Sequence, residues 1–287
     1  MNVLLDKLLE PYKYEFFRNG ALAAIMIGAL CGLLGVYIVL RGMSYIGHGL
    51  SHAIFGGAAI AYVSKVDFYL GAGLWGFLAA VLINQTVRRF RISADAAIGI
   101  ITTASFAVGV AVMSQKKAFV QDLETSLFGS ILGVTQRDLV GIAIVTALIA
   151  VFIFILYKQL MFLTFDEETA RVYGVRTEWI DVIFSLALAA SIIVSMQVLG
   201  VTLIAAAIVV PPITARLLTD HFDRMLIFSV VMGSISAFIG INLSYHLDTS
   251  SGATIVLTQT AVFLIVVFGN AIRGRAASRL AAINYHV

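Results

Sequence analysis

The chain has 287 residues, 60% of them hydrophobic and only 12% charged, with a net charge of +3 and a mean hydropathy of +0.98. Soluble domains carry about 25% charged residues, so this balance excludes an ordinary soluble enzyme and points to a polytopic helical membrane protein. The small positive charge reflects basic loops, and no nucleic-acid partner is expected from it.

Residues 1–19 mix Lys7, Lys13 and Arg18 with Asp6, Glu10 and Glu15, interrupted by Pro11. That is not the pattern of a cleaved signal. Leu4, Leu5, Leu8 and Leu9 suggest a short interfacial helix. Nine apolar runs follow: Ala21–Leu40, His48–Ser64, Phe68–Val87, Ala94–Ser114, Leu139–Tyr157, Trp179–Met196, Gly200–Leu218, Met225–Tyr245 and Ala253–Ile272. Each approaches the roughly 20 residues that cross a bilayer as a helix. Re-entrant segments would lower the count to eight, and the parity leaves the side of the N-terminus open. The lone cysteine, Cys31, excludes an internal disulfide and reads as a small packing residue.

Basic residues set the orientation. Arg88, Arg89 and Arg91 share one loop, and Arg273, Arg275 and Arg279 lie in an acid-free tail over 273–287. Both are expected in the cytoplasm, together with Lys158–Glu178 and Thr219–Arg224. The pair Lys116-Lys117 dissents, because the same alternation puts it outside.

The second run opens on the main chemical feature, His48 and His52 in Gly47-His48-Gly49-Leu50-Ser51-His52-Ala53. Four residues apart on a helix, the two imidazoles share a face and make a claw for a divalent metal. Ionisable groups inside membrane spans are costly and face a cavity or a partner; a packed, hydrogen-bonded histidine pair is the plainer alternative. Neutral imidazole binds metal and imidazolium does not, so binding is expected to weaken below roughly pH 6.

Several chemistries are missing. None of the six lysines follows a glycine, so there is no P-loop for nucleotide phosphates. Gly49 stands where a zinc protease of H-E-x-x-H type needs its glutamate, and no G-x-S-x-G occurs. The chain is not expected to be an enzyme on its own. Gly28-x-x-x-Gly32 and Gly129-x-x-x-Gly133 are candidate close-packing helix motifs.

Six segments in order carry a resemblance. They are Arg41 to Ala53, Asp95-Ala96-Ala97-Ile98-Gly99-Ile100, Phe128-Gly129-Ser130-Ile131-Leu132-Gly133-Val134, and Phe165-Asp166 with Thr169-Ala170-Arg171 and Gly174. After them come Gly200-Val201-Thr202-Leu203 with Pro211 and Ala215-Arg216-Leu217-Leu218, then Ser251-Gly252-Ala253-Thr254-Ile255-Val256-Leu257. From about Glu15 to Gly274 the chain resembles the membrane permease subunits of ABC importers for divalent metals, the manganese/zinc/iron or ABC-3 type. The resemblance implies an all-α permease fold of eight or nine spans forming one domain over 1–287. It also implies a prokaryotic inner-membrane location, a second copy of the chain as partner, and a metal delivered by an extracytoplasmic binding protein. ATP would be hydrolysed by a separate cytoplasmic ATPase, with the permease binding no permanent cofactor and passing Zn2+ or Mn2+.

Where the family has aspartate, this chain has His48; His52 keeps the family's histidine. Imidazole suits zinc, copper, iron and nickel, whereas oxygen ligands suit manganese. The exchange therefore leans toward zinc, or ferrous iron, over manganese. The family also implies an ATPase-coupling segment, expected as a short helix over Ile213–Phe222 that opens after Pro211-Pro212 and carries Ile213, Arg216, Leu217, Asp220 and His221. The acidic loop Asp166-Glu167-Glu168 to Arg171 would add contacts. Asp122, Glu124, His246 and Asp248 are outer-face candidates for attracting cations or docking the binding protein, with solvated loop charges the readier reading. Asp95 reads as a helix-start residue, not a ligand. Two other readings stay open: a permease for a metal chelate such as a siderophore or corrinoid, and a non-transporting metal-sensing scaffold.

Overall fold

Each run of apolar residues must pair its backbone internally once water is excluded, and the helix does this within one segment. The computed structural model describes residues 9–90, 92–116 and 127–284, and among these the regular structure is helical throughout. A 3-10 turn, Glu10–Lys13, precedes α1 (Glu15–Leu40), α2 (Tyr45–Val63), α3 (Phe68–Phe90) and α4 (Ala94–Lys116). Then come α5 (Gln136–Ile155), the short α6 (Tyr157–Phe165) and α7 (Glu167–Val172), and α8 (Thr177–Leu199). The chain closes with α9 (Ile204–Arg216), α10 (Phe222–Leu247) and α11 (Ser251–Asn284).

Side-chain contacts sort the helix ends into two groups. Tyr12 donates to Asn242 at 3.0 Å and Phe17 meets Tyr245 at 5.3 Å between ring centroids, so the start of α1 lies beside the end of α10. Arg41 and Arg88 both reach Asp181, which brings the ends of α1 and α3 to the start of α8. We call that end the basic end and the opposite one the far end. Every run expected as a span forms a helix, and the short α6 and α7 lie between α5 and α8 at the basic end. Seven are long and apolar enough to cross a membrane. The other two are α2, with 19 residues and the histidines, and α9, whose 13 residues reach only about 20 Å. The alternation places the turn before α1 at the far end and the close of α11 at the basic end. Helix α11 continues as helix past Ile272 to Asn284, so the segment read as a tail from residue 273 extends the last span.

α1 is the central element, with Phe17, Ile27, Leu30, Leu34 and Tyr37 fully buried. Gly28-x-x-x-Gly32 packs within the chain: a Cβ on Gly28 would lie 2.4 Å from the Gly233 carbonyl oxygen, and one on Gly32 2.5 Å from that of Ser229. The Ser229 hydroxyl donates to the Gly32 carbonyl at 2.7 Å. Gly133, by contrast, faces open space, so the second motif is not a helix crossing. Gly129 has another use. At φ +77° it lies against Val198 and Leu199, while Gly200, also at φ +77°, lies against Leu127 and Phe128. Gly252 presses on the Leu199 carbonyl, where a Cβ would stand 2.1 Å away. Ser130 N–H donates to Gln197 O at 2.7 Å, and the Ser250 and Ser251 hydroxyls donate to Phe128 O and Val198 O at 2.9 and 3.0 Å. Three irregular backbones thus cross in direct contact at the far end.

The prolines correct an expectation. Pro211 and Pro212 lie inside α9 and do not divide two helices. Gly35 makes room for this stretch: its missing Cβ would sit 2.0 Å from the Ile208 carbonyl, the group that Pro212 leaves without an amide donor. Thr214 also turns its hydroxyl back to Val210 O at 2.7 Å, the i−4 bond that serine and threonine make inside helices.

Candidate metal path

α2 leaves the turn at Gly42, φ +67°, and crosses α4 so closely that side chains are excluded. A Cβ on Gly49 would meet Ile98 at 2.4 Å, and one on Gly56 the Ser105 carbonyl oxygen at 2.4 Å. Gly49 is therefore spent on packing and does not open space for an ion. The helical spacing does bring His48 and His52 together, with ring centroids 4.5 Å apart and planes at 79°. The Ser51 hydroxyl turns back to the His48 carbonyl at 2.8 Å, which keeps it off the imidazoles.

The two rings have different settings. His48 is exposed and borders two cavities: one of about 440 Å³ against α4, and one of about 360 Å³ against Ala205, Ala206, Val209 and Val210 of α9. His52 is half-buried in the first cavity, its ring edge-on to Phe106 at 5.1 Å. Its Nδ1 is buried without a hydrogen-bond partner. A buried ring nitrogen left free in this way retains its donor or lone-pair capacity for a ligand. Two imidazoles are half of a tetrahedral set, and among the described residues no three His, Cys, Asp or Glu side chains converge.

The remaining site residues lie apart from this cavity. Ile213 and Arg216 end α9, with Leu217 in the turn that follows and Asp220 and His221 leading into α10. The expected short helix is the last turn of α9 plus a loop. Arg216, Leu217, Leu218, Asp220 and His221 are all exposed. His246 and Asp248 are exposed at the far-end close of α10, away from the histidine pair. Asp122 and Glu124 lie outside the described residues.

Sequence reading missed an ionic cluster at the basic end. Asp181, 7% exposed, accepts from Arg41 at 2.5 Å and from Arg88. Arg88 also faces Glu167 at 3.6 Å and Glu178 at 3.8 Å, and Arg41 stacks over Phe184 at 5.6 Å. Close by, Phe222 is ringed by Tyr37, Tyr157 and Phe165 at centroid distances of 5.5 to 5.8 Å. Tyr157 donates to Asp223; burial and that carboxylate push its phenol up to about 12.

The family described as the ABC 3 transport family matches residues 13–270. The chain belongs to that family. It is an ABC-transporter permease of the metal-transport kind, a multi-span helical protein of the prokaryotic inner membrane. A "Probable iron transport system membrane protein" of Haemophilus influenzae is 36% identical over 272 residues, covering 95% of this chain and all of that one (100%). The manganese transport system membrane protein MntB of Synechocystis is 35% identical, with 91% and 85% covered. The chelated iron transport system membrane protein YfeC of Yersinia pestis is 33% identical, with 96% and 94% covered. Among solved structures, PsaBC from Streptococcus pneumoniae in complex with Fab superposes with a TM-score of 0.81 at 32% identity, covering 93% of this chain and 95% of that one. The all-α permease architecture read from the sequence holds in the family and in the structure.

Proposed function

We propose that residues 1–287 form one transmembrane permease domain that imports a divalent metal as a homodimer, energised by a separate cytoplasmic ATPase. Metal arrives from an extracytoplasmic binding protein at the far end and leaves at the basic end, which faces the cytoplasm by its arginines. The observation that carries this reading is the free, buried Nδ1 of His52 beside His48, in a cavity that opens on the flank of the chain. A second copy against that flank would exclude water and bring another pair of imidazoles, completing four nitrogen ligands from two chains. The relatives are named for manganese or iron. With nitrogen in both positions, this chain favours zinc or ferrous iron over manganese.

Helix α9 supplies a mechanical link. Its last turn carries Ile213 and Arg216, leading to Leu217, Asp220 and His221, the segment we assign to the ATPase. Its earlier turns present Ala205 and Val209 to the cavity beside His48. From Val209 to Arg216 is about 10 Å of helix, so a push on the exposed turn shifts one wall of the metal path.

The test is uptake of radiolabelled zinc and manganese by the permease reconstituted with its ATPase and binding protein, compared with His48→Ala and His52→Ala. Loss of uptake in both variants, with zinc preferred by the wild type, is the expected result. Normal transport by both variants would make the histidines packing residues. Manganese outcompeting zinc would overturn the ligand argument alone.

A further inference from the structure

Asp95 lines the same cavity as His48 and His52. It is not needed to start α4, because the Ser93 hydroxyl already accepts the Ala96 N–H at 3.3 Å. Nor do the three side chains close on one point, since no cluster of three such residues exists among the described residues. Asp95 is therefore placed in series with the histidines.

The packing register gives its level. Gly49 meets Ile98 and Thr102, and Gly56 meets Ser105, so α2 and α4 run in the same direction. His52 touches Phe106, and Asp95 precedes Phe106 by eleven residues, roughly 16 Å along the helix. His48 precedes His52 by four residues, about 6 Å. The backbone register is tighter than the ring contact: with Gly49 level with Ile98 to Thr102, Asp95 stands roughly 6 Å closer to the basic end than His48, about four residues of helix. Gly99 lies on the wall between them, where an added Cβ would meet nothing within 4 Å, and Thr102 and Thr103 line the cavity at the level of the histidines.

Charge says what the position is for. Two neutral imidazoles leave a bound divalent ion with its full +2, which a low-dielectric passage penalises heavily. A carboxylate further along the same wall lowers that cost as the ion moves off the pair. Resting on the metal-path reading above, we infer that Asp95 is a second station for the metal. It receives the ion from His48 and His52 on the way to the basic end and supplies the negative charge that the imidazoles lack.

The experiment measures zinc uptake by the same reconstituted complex for wild type, Asp95→Asn, Asp95→Glu, His48→Asp and the double variant His48→Asp/Asp95→Asn. Protection of Cys31 from a thiol dye confirms that each variant is folded. Asp95→Asn is expected to lower the maximal rate about tenfold while the half-saturating zinc concentration stays within about twofold, since capture precedes this step. Asp95→Glu keeps most of the rate, and His48→Asp restores a carboxylate to the cavity and recovers the double variant to within about threefold of His48→Asp alone. Wild-type rates for Asp95→Asn would overturn the inference. So would a folded Asp95→Asn that is slow in both histidine backgrounds, because the loss would then not be one of charge in the passage. If His48→Ala and His52→Ala also transport normally, it is the metal-path reading that fails.

Discussion

Replacing Asp181 by Asn removes the one carboxylate that two arginines share. Arg41 and Arg88 have side chains 13% and 25% exposed, against 9% for Asp181, so water replaces little of what is lost. Breaking a buried pair from one side costs about 3–5 kcal/mol. Glu167, 3.6 Å from Arg88 and 41% exposed, offsets part of this, which leaves about 2–4 kcal/mol. For a chain of this size each kcal/mol lowers the melting point by about 2–4 °C, so a fall of roughly 4–16 °C is expected. Cys31 provides the assay: it is the single cysteine and 1% exposed, so a thiol-reactive dye reports the opening of α1 during a thermal ramp in detergent. Arg41→Gln/Asp181→Asn should melt higher than Asp181→Asn alone, because one orphaned cation is gone. A shift under about 2 °C for Asp181→Asn would refute the claim that this cluster ties the helix ends together.

Gly28→Ala is expected to cost about 1–3 kcal/mol in the same thermal assay, since its Cβ collides with the Gly233 backbone. Gly99→Ala and Gly141→Ala, with nothing within 4 Å, should leave the melting point unchanged or raise it through helix propensity. The Asp166 carboxyl is held below its ordinary value by the Thr169 hydroxyl and N–H, so its contribution to α7 is fully present above the unfolded carboxylate pKa and is lost as pH falls through the lower folded value. Hydrogen exchange over Glu167–Val172 should therefore be flat from pH 7 to about 5 and accelerate only under stronger acid, after correction for intrinsic rates. Tyr157 has the opposite sign: its contribution is complete below the unfolded tyrosine value near 10 and fades as pH rises toward about 12. Alkaline melting curves of wild type and Tyr157→Phe should converge across that window.

Much of the fold was legible because a membrane span is a one-dimensional signal. Each apolar run became a helix, and the helical spacing of His48 and His52 alone brings their rings together. The failures lie where partners are distant in the chain. Pro211-Pro212 reads locally as a helix boundary, yet Gly35 on another helix leaves room for the freed Ile208 carbonyl and the helix continues. Asp181 reads as one charge near the start of an apolar run, while its partners Arg41 and Arg88 are 140 and 93 residues away. The cavity shared by His52 and Asp95 follows from the crossing of α2 on α4, which the glycines of each helix signal only once both are seen together. Residues 128–134, 200–203 and 251–257 were recognised as separate motifs; that they touch is a property of the bundle.

That contact makes the far end a seam with no thickness to spare. Gly129, Gly200 and Gly252 meet through backbone atoms, so a methyl group added to any of them displaces all three segments together. The opposite end is closed by side chains instead, the ion pairs of Asp181 with Arg41 and Arg88 and the aromatic ring around Phe222. One rim is thus fixed by backbone against backbone and the other by side chains that can exchange partners, and it is at the second that α9 meets the exposed turn before α10.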